Sequence, residues 1–288
     1  MSRQRQKGNL QRAFHRFKQN RLSLVGLGIV LFMVSVAIFA PLIAPYPEDA
    51  GDAVHFGERM FQPPSRKYPF GTDEVGRDVL SRVIFGSRVS LSLGAIVLLI
   101  AVGVGVPLGL IAGYFGGGLE TIIMRVTDIF LSIPPLVLAL AVSVIFEPNL
   151  QNSMFAIAFT WWPWYARLAY GETLSIKEED FVEVSESLGV SKFYIIFREI
   201  LPNMTSTLLV KVTLDIGYAI LTGAALGFLG LGAQPPTPEW GTMVSYGRIY
   251  LPKMWWLSTF PGLAIFITVL GFNLLGDGLR DFFDVEVE

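Results

Sequence analysis

Apolar positions along this chain do not alternate or recur as a thin stripe. They gather into long runs with little or no charge, separated by shorter polar stretches. Such runs occupy residues 22–44, 89–115, 121–146, 150–169, 206–231 and 255–275. About 20 predominantly apolar residues are needed for one helix to cross a bilayer. The pattern therefore predicts six transmembrane helices and an all-α, polytopic membrane fold. Pro41 and Pro45 end the first run, and Trp255 and Trp256 open the last. Trp161, Trp162, Trp164 and Tyr165 close the fourth, as expected of aromatic residues at a membrane boundary.

Composition narrows the class. The chain has 288 residues, 52% hydrophobic and only 16% charged, against roughly 25% charged in soluble domains. A soluble enzyme and a disordered chain are both poor fits. The net charge of −2 suggests no nucleic-acid partner. With no cysteine, and with its two histidines, His15 and His55, in separate polar segments, the chain offers little for a metal or triad site.

The first run is too long for the apolar region of a signal peptide and lacks a clean small-x-small site, so it reads as a retained span. Residues 1–21 carry seven Lys/Arg and no acid, which predicts a cytoplasmic N-terminus. Six spans then return the C-terminus to the cytoplasm. Segment 45–88, rich in Pro and Gly with six basic and seven acidic residues, falls outside, and segment 170–205 falls inside.

The most informative stretch is 172–203. Glu178, Glu179 and Asp180 suit the positive end of a helix dipole. Phe181, Val184, Ser185 and Leu188 follow at i, i+3, i+4 and i+7, one small-to-apolar face. Gly189 stands where a helix end needs positive φ, Ser191 is placed to cap a second short helix, and Pro202 is expected to close it. Phe193, Tyr194 and Phe197 decorate that second helix. The pattern reads as a helix–Gly–helix elbow whose aromatic residues either dock a soluble partner or pack beneath the chain's own spans.

Charge inside the spans is sparse. Arg125 and Asp128 lie one turn apart, as do Lys211 and Asp215, so each pair can neutralise itself. Asp215 is also a candidate for the translocation path. Glycines at 103, 105, 109 and 113, and at 223, 227, 230 and 232, read as close helix packing rather than substrate lining. The Gly-rich run after Gly113 lacks the Lys of a phosphate loop and reads as a tight turn, so ATP hydrolysis is not expected of this chain.

From Glu183 through Gly189 to Leu201-Pro202 the chain resembles the EAA loop of ABC-transporter permeases. The Glu, the Gly and the Leu-Pro match that pattern in spacing. Val184 and Ser185 replace its Ala pair, and Glu199 replaces an apolar residue. Four more stretches are similar to the dipeptide/oligopeptide/nickel permeases, C-type subunit: Pro69 to Arg82 with the Gly86-Ser-Arg-Val-Ser-Leu after it, Trp164-Tyr-Ala-Arg-Leu, Phe228 to Gly241, and Leu275-Gly-Asp-Gly-Leu-Arg-Asp.

The resemblance implies a type I ABC importer permease fold. It divides the chain into a basic segment 1–21, a first helix 22–44, an extracytoplasmic loop 45–88, a five-helix permease core 89–280 containing the coupling loop 170–205, and a tail 281–288. It implies ATPase coupling through Glu183, Val184, Ser185, Gly189, Val190, Ser191, Phe193, Leu201 and Pro202. It further implies a homologous B-type permease partner, two ATP-binding subunits that hold ATP and Mg, and an extracytoplasmic binding protein facing 45–88 and 233–254. No cofactor is expected on this chain. Peptides, nickel and oligosaccharides stay open as substrates. A secondary transporter would tend to show inverted repeats or a polar chain through the spans, and an intramembrane enzyme a nucleophile or metal cluster. Neither feature stands out.

Overall fold

The computed structural model describes residues 20–283. Among these residues the secondary structure is helical, apart from one isolated antiparallel bridge between Thr72 and Asp78. The helices are α1 (Arg21–Ile43), α2 (Val79–Phe115), α3 (Gly117–Leu131), α4 (Pro135–Ser143) and α5 (Leu150–Lys177). The elbow follows, with α6 (Asp180–Ser187) as its first arm and the short turns Lys192–Tyr194, Ile195–Ile200 and Leu201–Asn203 as its second. Then come α7 (Thr205–Phe228), α8 (Trp240–Gly247) and α9 (Trp256–Phe283). The basic cluster at 3–18 and the tail at 284–288 lie outside the described residues.

Contacts at the helix ends fix the direction of each pass. Tyr46, just after α1, bonds Ser81 at the start of α2, and Trp256 at the start of α9 bonds the Thr72 carbonyl. Trp240 bonds the Val83 carbonyl, and Ser153 near the start of α5 bonds the Leu231 carbonyl just beyond α7. These groups define one end of the bundle, the loop end. At the opposite, elbow end, Lys177 of α5 bonds the Tyr114 carbonyl of α2. Asn20, which caps α1, bonds Asp281 in the last turn of α9 at 3.0 Å. The chain thus runs the length of the bundle six times: α1, α2, α3–α4, α5, α7 and α9.

Four of these passes are long and apolar enough to cross a membrane, namely α1, α2, α7 and α9, and a fifth is reached if α3 and α4 count as one span. The expected sixth, α5, is a 28-residue helix, but Gln151, Asn152, Pro163 and Arg167 dilute its apolar content. The third span, expected as one run over 121–146, is instead broken, with α3 and α4 bent by 87°. Pro134 and Pro135 explain the break, since a residue before proline is driven out of the helical region and proline donates no amide. Because α5 continues to Lys177, its aromatic cluster lies mid-helix. Trp161 and Tyr165 are buried in the core and Trp164 is exposed.

The core is built on α2 against α5. A Cβ added at Gly105 or Gly109 would sit 2.3 Å from the carbonyl of Trp162 or Ala166, and one at Gly113 2.7 Å from the Thr173 Cβ. Glycine every fourth residue lets the two backbones touch, and an added methyl there would force them apart at about 1–3 kcal/mol. Gly103 meets nothing within 4 Å, so it is not part of this stripe. Leu93, Leu110, Ile157, Tyr165, Ile195 and Ile200 fill the space between α2, α5 and the elbow. On the other side of the bundle α9 packs against α1 and α7, with Gly26 and Gly271 at the α1 crossing.

Candidate functional site

The elbow is locally encoded. Asp180 opens α6, and Val182 is fully buried beneath it. At its end Gly189 takes φ +76. The Gly189 amide donates to the Glu186 carbonyl and the Val190 amide to that of Ser185, which closes the helix as a Schellman turn. Ser191 then caps the second arm by accepting from the Tyr194 amide. Ile195, Ile196 and Ile200 anchor that arm in the core.

The face carrying Phe181, Val184 and Leu188 points outward, and Phe193 (70% exposed), Tyr194 and Phe197 lie open on the second arm. Asp180 and Glu183 flank a shallow groove along α6 with Val184, Ser187 and Leu188. Apolar side chains rimmed by carboxylates do not suit lipid; they suit a polar partner with apolar anchors.

Pro202 does not close the second arm as expected. It lies inside the Leu201–Asn203 turn, directly after a π turn over Ile195–Ile200. Proline fits an early position of a new turn, where its missing amide has no partner to lose, and the chain continues almost without pause into α7.

Ser185 and Glu199, read separately as two departures from the EAA pattern, form one pair. The Ser185 hydroxyl donates to Glu199 Oε1 at 2.8 Å across 14 residues. Each departure thus supplies the other's partner, joining the two arms where a small–apolar contact would otherwise lie. The second oxygen, Oε2, is buried without a hydrogen bond.

Asp215 lies in the α5–α7 contact, 5% exposed. Its carboxylate accepts from Lys211 Nζ at 2.8 Å, as the spacing anticipated, and from the Tyr165 hydroxyl at 2.9 Å. Asp128 pairs not with Arg125 but with Arg167 of α5.

The loop end holds a second constellation that sequence reasoning did not assemble. Asp49, fully buried, accepts from His55 Nε2 (2.7 Å), Arg59 Nη2 (2.8 Å) and the Asp78 amide (2.8 Å). Asp78 caps α2 through the Ser81 amide and hydroxyl. Asp73 binds Arg77 Nε at 2.8 Å, and Arg82 reaches the carbonyls of Asp49 and Pro236. Glu239 caps α8 through the amides of Gly241 and Thr242. Burial pushes the carboxyls of Glu74, Asp78 and Glu239 above their ordinary range. The charge of Asp73 adds to the shift at Glu74, while hydrogen bonds from Ser81 and from Gly241 and Thr242 oppose it at Asp78 and Glu239. A cavity beside this network is lined by Glu74, Arg77, Arg82, Thr237 and Tyr246.

The chain is similar to known proteins in sequence and in fold. The profile of the family described as "Binding-protein-dependent transport system inner membrane component" matches residues 105–288. That described as "N-terminal TM domain of oligopeptide transport permease C" matches residues 8–64. The dipeptide transport system permease protein DppC of Escherichia coli (strain K12) is 46% identical over 97% of this chain and 94% of its own length. DppC of Alkalihalophilus pseudofirmus is 42% identical over 96% and 90%. The glutathione transport system permease protein GsiD of Pectobacterium atrosepticum is 39% identical over 96% and 90%. In structure the chain is similar to a chain of the inward-facing MetNI methionine ABC transporter, with a TM-score of 0.58 and 20% identity over 71% of this chain and 96% of that one. This likeness shows the type I ABC importer permease fold. An elbow turned by Gly189, a helical bundle with four or five candidate membrane spans among the described residues and two matching family profiles lead to one conclusion: the chain belongs to the binding-protein-dependent transport system inner membrane components, as a multi-pass permease subunit, C type, of an ABC importer.

Proposed function

We propose that this chain forms one half of a translocation path for short peptides and takes its driving force from ATPase subunits docked on the elbow. The observation that carries the reading is the elbow itself: a locally closed turn that holds Phe181, Val184, Leu188, Phe193 and Phe197 open among carboxylates, at the end of the bundle where α1 begins and α9 ends. The elbow end faces the cytoplasm. The seven basic residues of 1–21 favour that orientation, and the bond between Asn20 and Asp281 supports both termini lying on that side.

In this reading all six passes span the inner membrane. Two ATP-binding subunits hold ATP and Mg, close on each other, and carry the elbow with them. Glu183, Val184, Ser185, Val190, Ser191 and Phe193 form the contact, Gly189 permits the turn, and Leu201 and Pro202 lead its motion into α7. ATP-dependent contacts thereby shift the permease between inward- and outward-open populations. A homologous B-type permease completes the path, and an extracytoplasmic binding protein delivers substrate to the loop end. Asp215, tied to Tyr165 and Lys211, tunes helix packing at the path rather than touching substrate. Relatives named for dipeptides and for glutathione favour peptides over sugars or nickel.

Phe193→Ala with Phe197→Ala tests the docking. The expected result is a stable, membrane-inserted chain that no longer co-purifies with its ATPase subunits and no longer supports uptake of a labelled dipeptide. Full co-purification and uptake would overturn the reading.

A further inference from the structure

The elbow lies between α5 and α7 in sequence, so motion of its arms has two obvious routes into the membrane. The side-chain contacts supply a third. Tyr114 and Phe115 form the last turn of α2, and both arms of the elbow reach them. From the first arm, Glu186 Oε1 accepts the Tyr114 hydroxyl at 2.8 Å. From the second arm, the Lys192 ammonium stands over the Phe115 ring, 5.5 Å from its centroid. Lys177, at the end of α5, donates to the Tyr114 carbonyl at 2.9 Å and lies 5.3 Å from the Tyr114 ring centroid. Tyr114 is itself only 4% exposed, so its ring is fixed by packing before the hydroxyl finds its partner.

At its other end α2 is fixed to the loop network, its first turn capped by Asp78 and its Arg82 bound to Asp49 and Pro236. With 37 residues, α2 is about 55 Å long. It is a single helix with one end under the elbow and the other inside the constellation that faces the opposite side.

We infer that Tyr114 is a positioning residue for coupling: with Glu186 it latches the elbow to α2, so that movement of the elbow is delivered directly to the helix that ends in the loop network. The inference rests on the proposed ATPase-docking role of the elbow. Tyr114→Phe removes the hydroxyl and keeps the ring, Glu186→Ala removes the acceptor, and Glu186→Gln keeps a carbonyl oxygen able to accept the same bond.

The test uses the complete importer in proteoliposomes, with each variant in this chain. Readouts are ATPase co-purification, thermal melting, and peptide transported per ATP hydrolysed. Tyr114→Phe and Glu186→Ala are expected to keep co-purification and melting while the transport-to-ATP ratio falls several-fold. The double variant should be no worse than either single one, and Glu186→Gln should be near normal. A merely structural role would lower assembly and ATPase activity together and leave the ratio unchanged.

A wild-type ratio in Tyr114→Phe and Glu186→Ala overturns the latch. If the Phe193→Ala, Phe197→Ala chain fails to couple in the same assay, the docking reading survives that loss. If that chain also docks and couples normally, the docking reading has failed and the latch falls with it.

Discussion

The two ends of this bundle are stabilised in opposite ways. At the loop end, charged and polar groups are buried or half-buried and bonded to one another or to backbone groups, several across long stretches of chain: Asp49 with His55, Arg59 and the Asp78 amide, Arg82 with the Pro236 carbonyl, Trp256 with the Thr72 carbonyl. On the elbow itself, apolar groups are exposed and the turn is closed by local bonds, Gly189 to Glu186 and Val190 to Ser185, while Glu186 reaches across to Tyr114 of α2. A surface whose buried carboxylates are tied to cations and backbone amides holds its shape before a partner arrives. A surface that leaves Phe193 and Leu188 in water gains by being covered. The contrast suits a rigid receiving platform at one end and a docking element at the other.

The sharpest way to break that contrast is Asp49→Ala. It leaves Arg59 and His55 without their buried acceptor and the Asp78 amide unsatisfied. Removing one partner of a buried ion pair costs about 3–5 kcal/mol. The expected outcome is a large fall in melting temperature in detergent and protease cleavage within 45–78, with the elbow's protection unchanged. Unaltered melting would show that the loop end is not held by this network.

Glu239→Ala acts on the same end with a smaller effect. It strips the cap from α8 and costs about 2 kcal/mol. It also carries a pH signature. Burial raises the Glu239 carboxyl above its ordinary value of 4.5. The fold therefore holds the proton more tightly than the unfolded chain does. That contribution is fully present below the unfolded value and is lost as pH rises through the folded one. Melting of the native chain should rise as the medium is acidified toward pH 5, and the gain should shrink in Glu239→Ala. An identical pH slope in both chains would refute the assignment.

The same contrast explains what was legible in the sequence. The elbow was, because its determinants are neighbours: Glu183, Gly189, Ser191 and Leu201 keep fixed spacings, and positive φ at Gly189 follows from a glycine after an amphipathic run. The loop end was not. Its partners are separated by 29 residues for Asp49 and Asp78, 154 for Arg82 and Pro236, and 184 for Trp256 and Thr72. No periodicity joins residues so far apart.

Within the membrane-facing part the passes were readable as apolar runs, but charge partners across helices were not. Lys211 was a visible neighbour of Asp215 four residues away, whereas Tyr165, 50 residues distant, read only as a boundary aromatic. Asp128 likewise chose Arg167 on another helix over Arg125 one turn away. The break between α3 and α4 had a signal in Pro134 and Pro135, masked because the surrounding run stays apolar. Tyr114 had a fainter one, a polar aromatic ring at the end of a long apolar run.

Two glycines bring the comparison to a single atom. Gly76 at the loop end and Gly189 at the elbow have nearly the same backbone, φ +79 and φ +76. A Cβ at Gly76 would lie 2.2 Å from the His55 carbonyl, inside the packed network, while one at Gly189 meets nothing within 4 Å. For Gly189→Ala the penalty is therefore backbone strain alone, about 1–2 kcal/mol. Because α6 is short and exposed, that strain is relieved by fraying the turn rather than by unfolding the bundle. The expected result is a nearly unchanged melting temperature, faster amide exchange at position 189 and at Val190, and ATP hydrolysis that no longer drives uptake in proportion. A Gly189→Ala chain that transports normally would mean that the elbow needs its exposed residues but not its left-handed turn. Slowed exchange with lost transport would mean that the turn must open during the cycle. The first result would remove Gly189 from the coupling role, and the second would turn its stability into the obstacle.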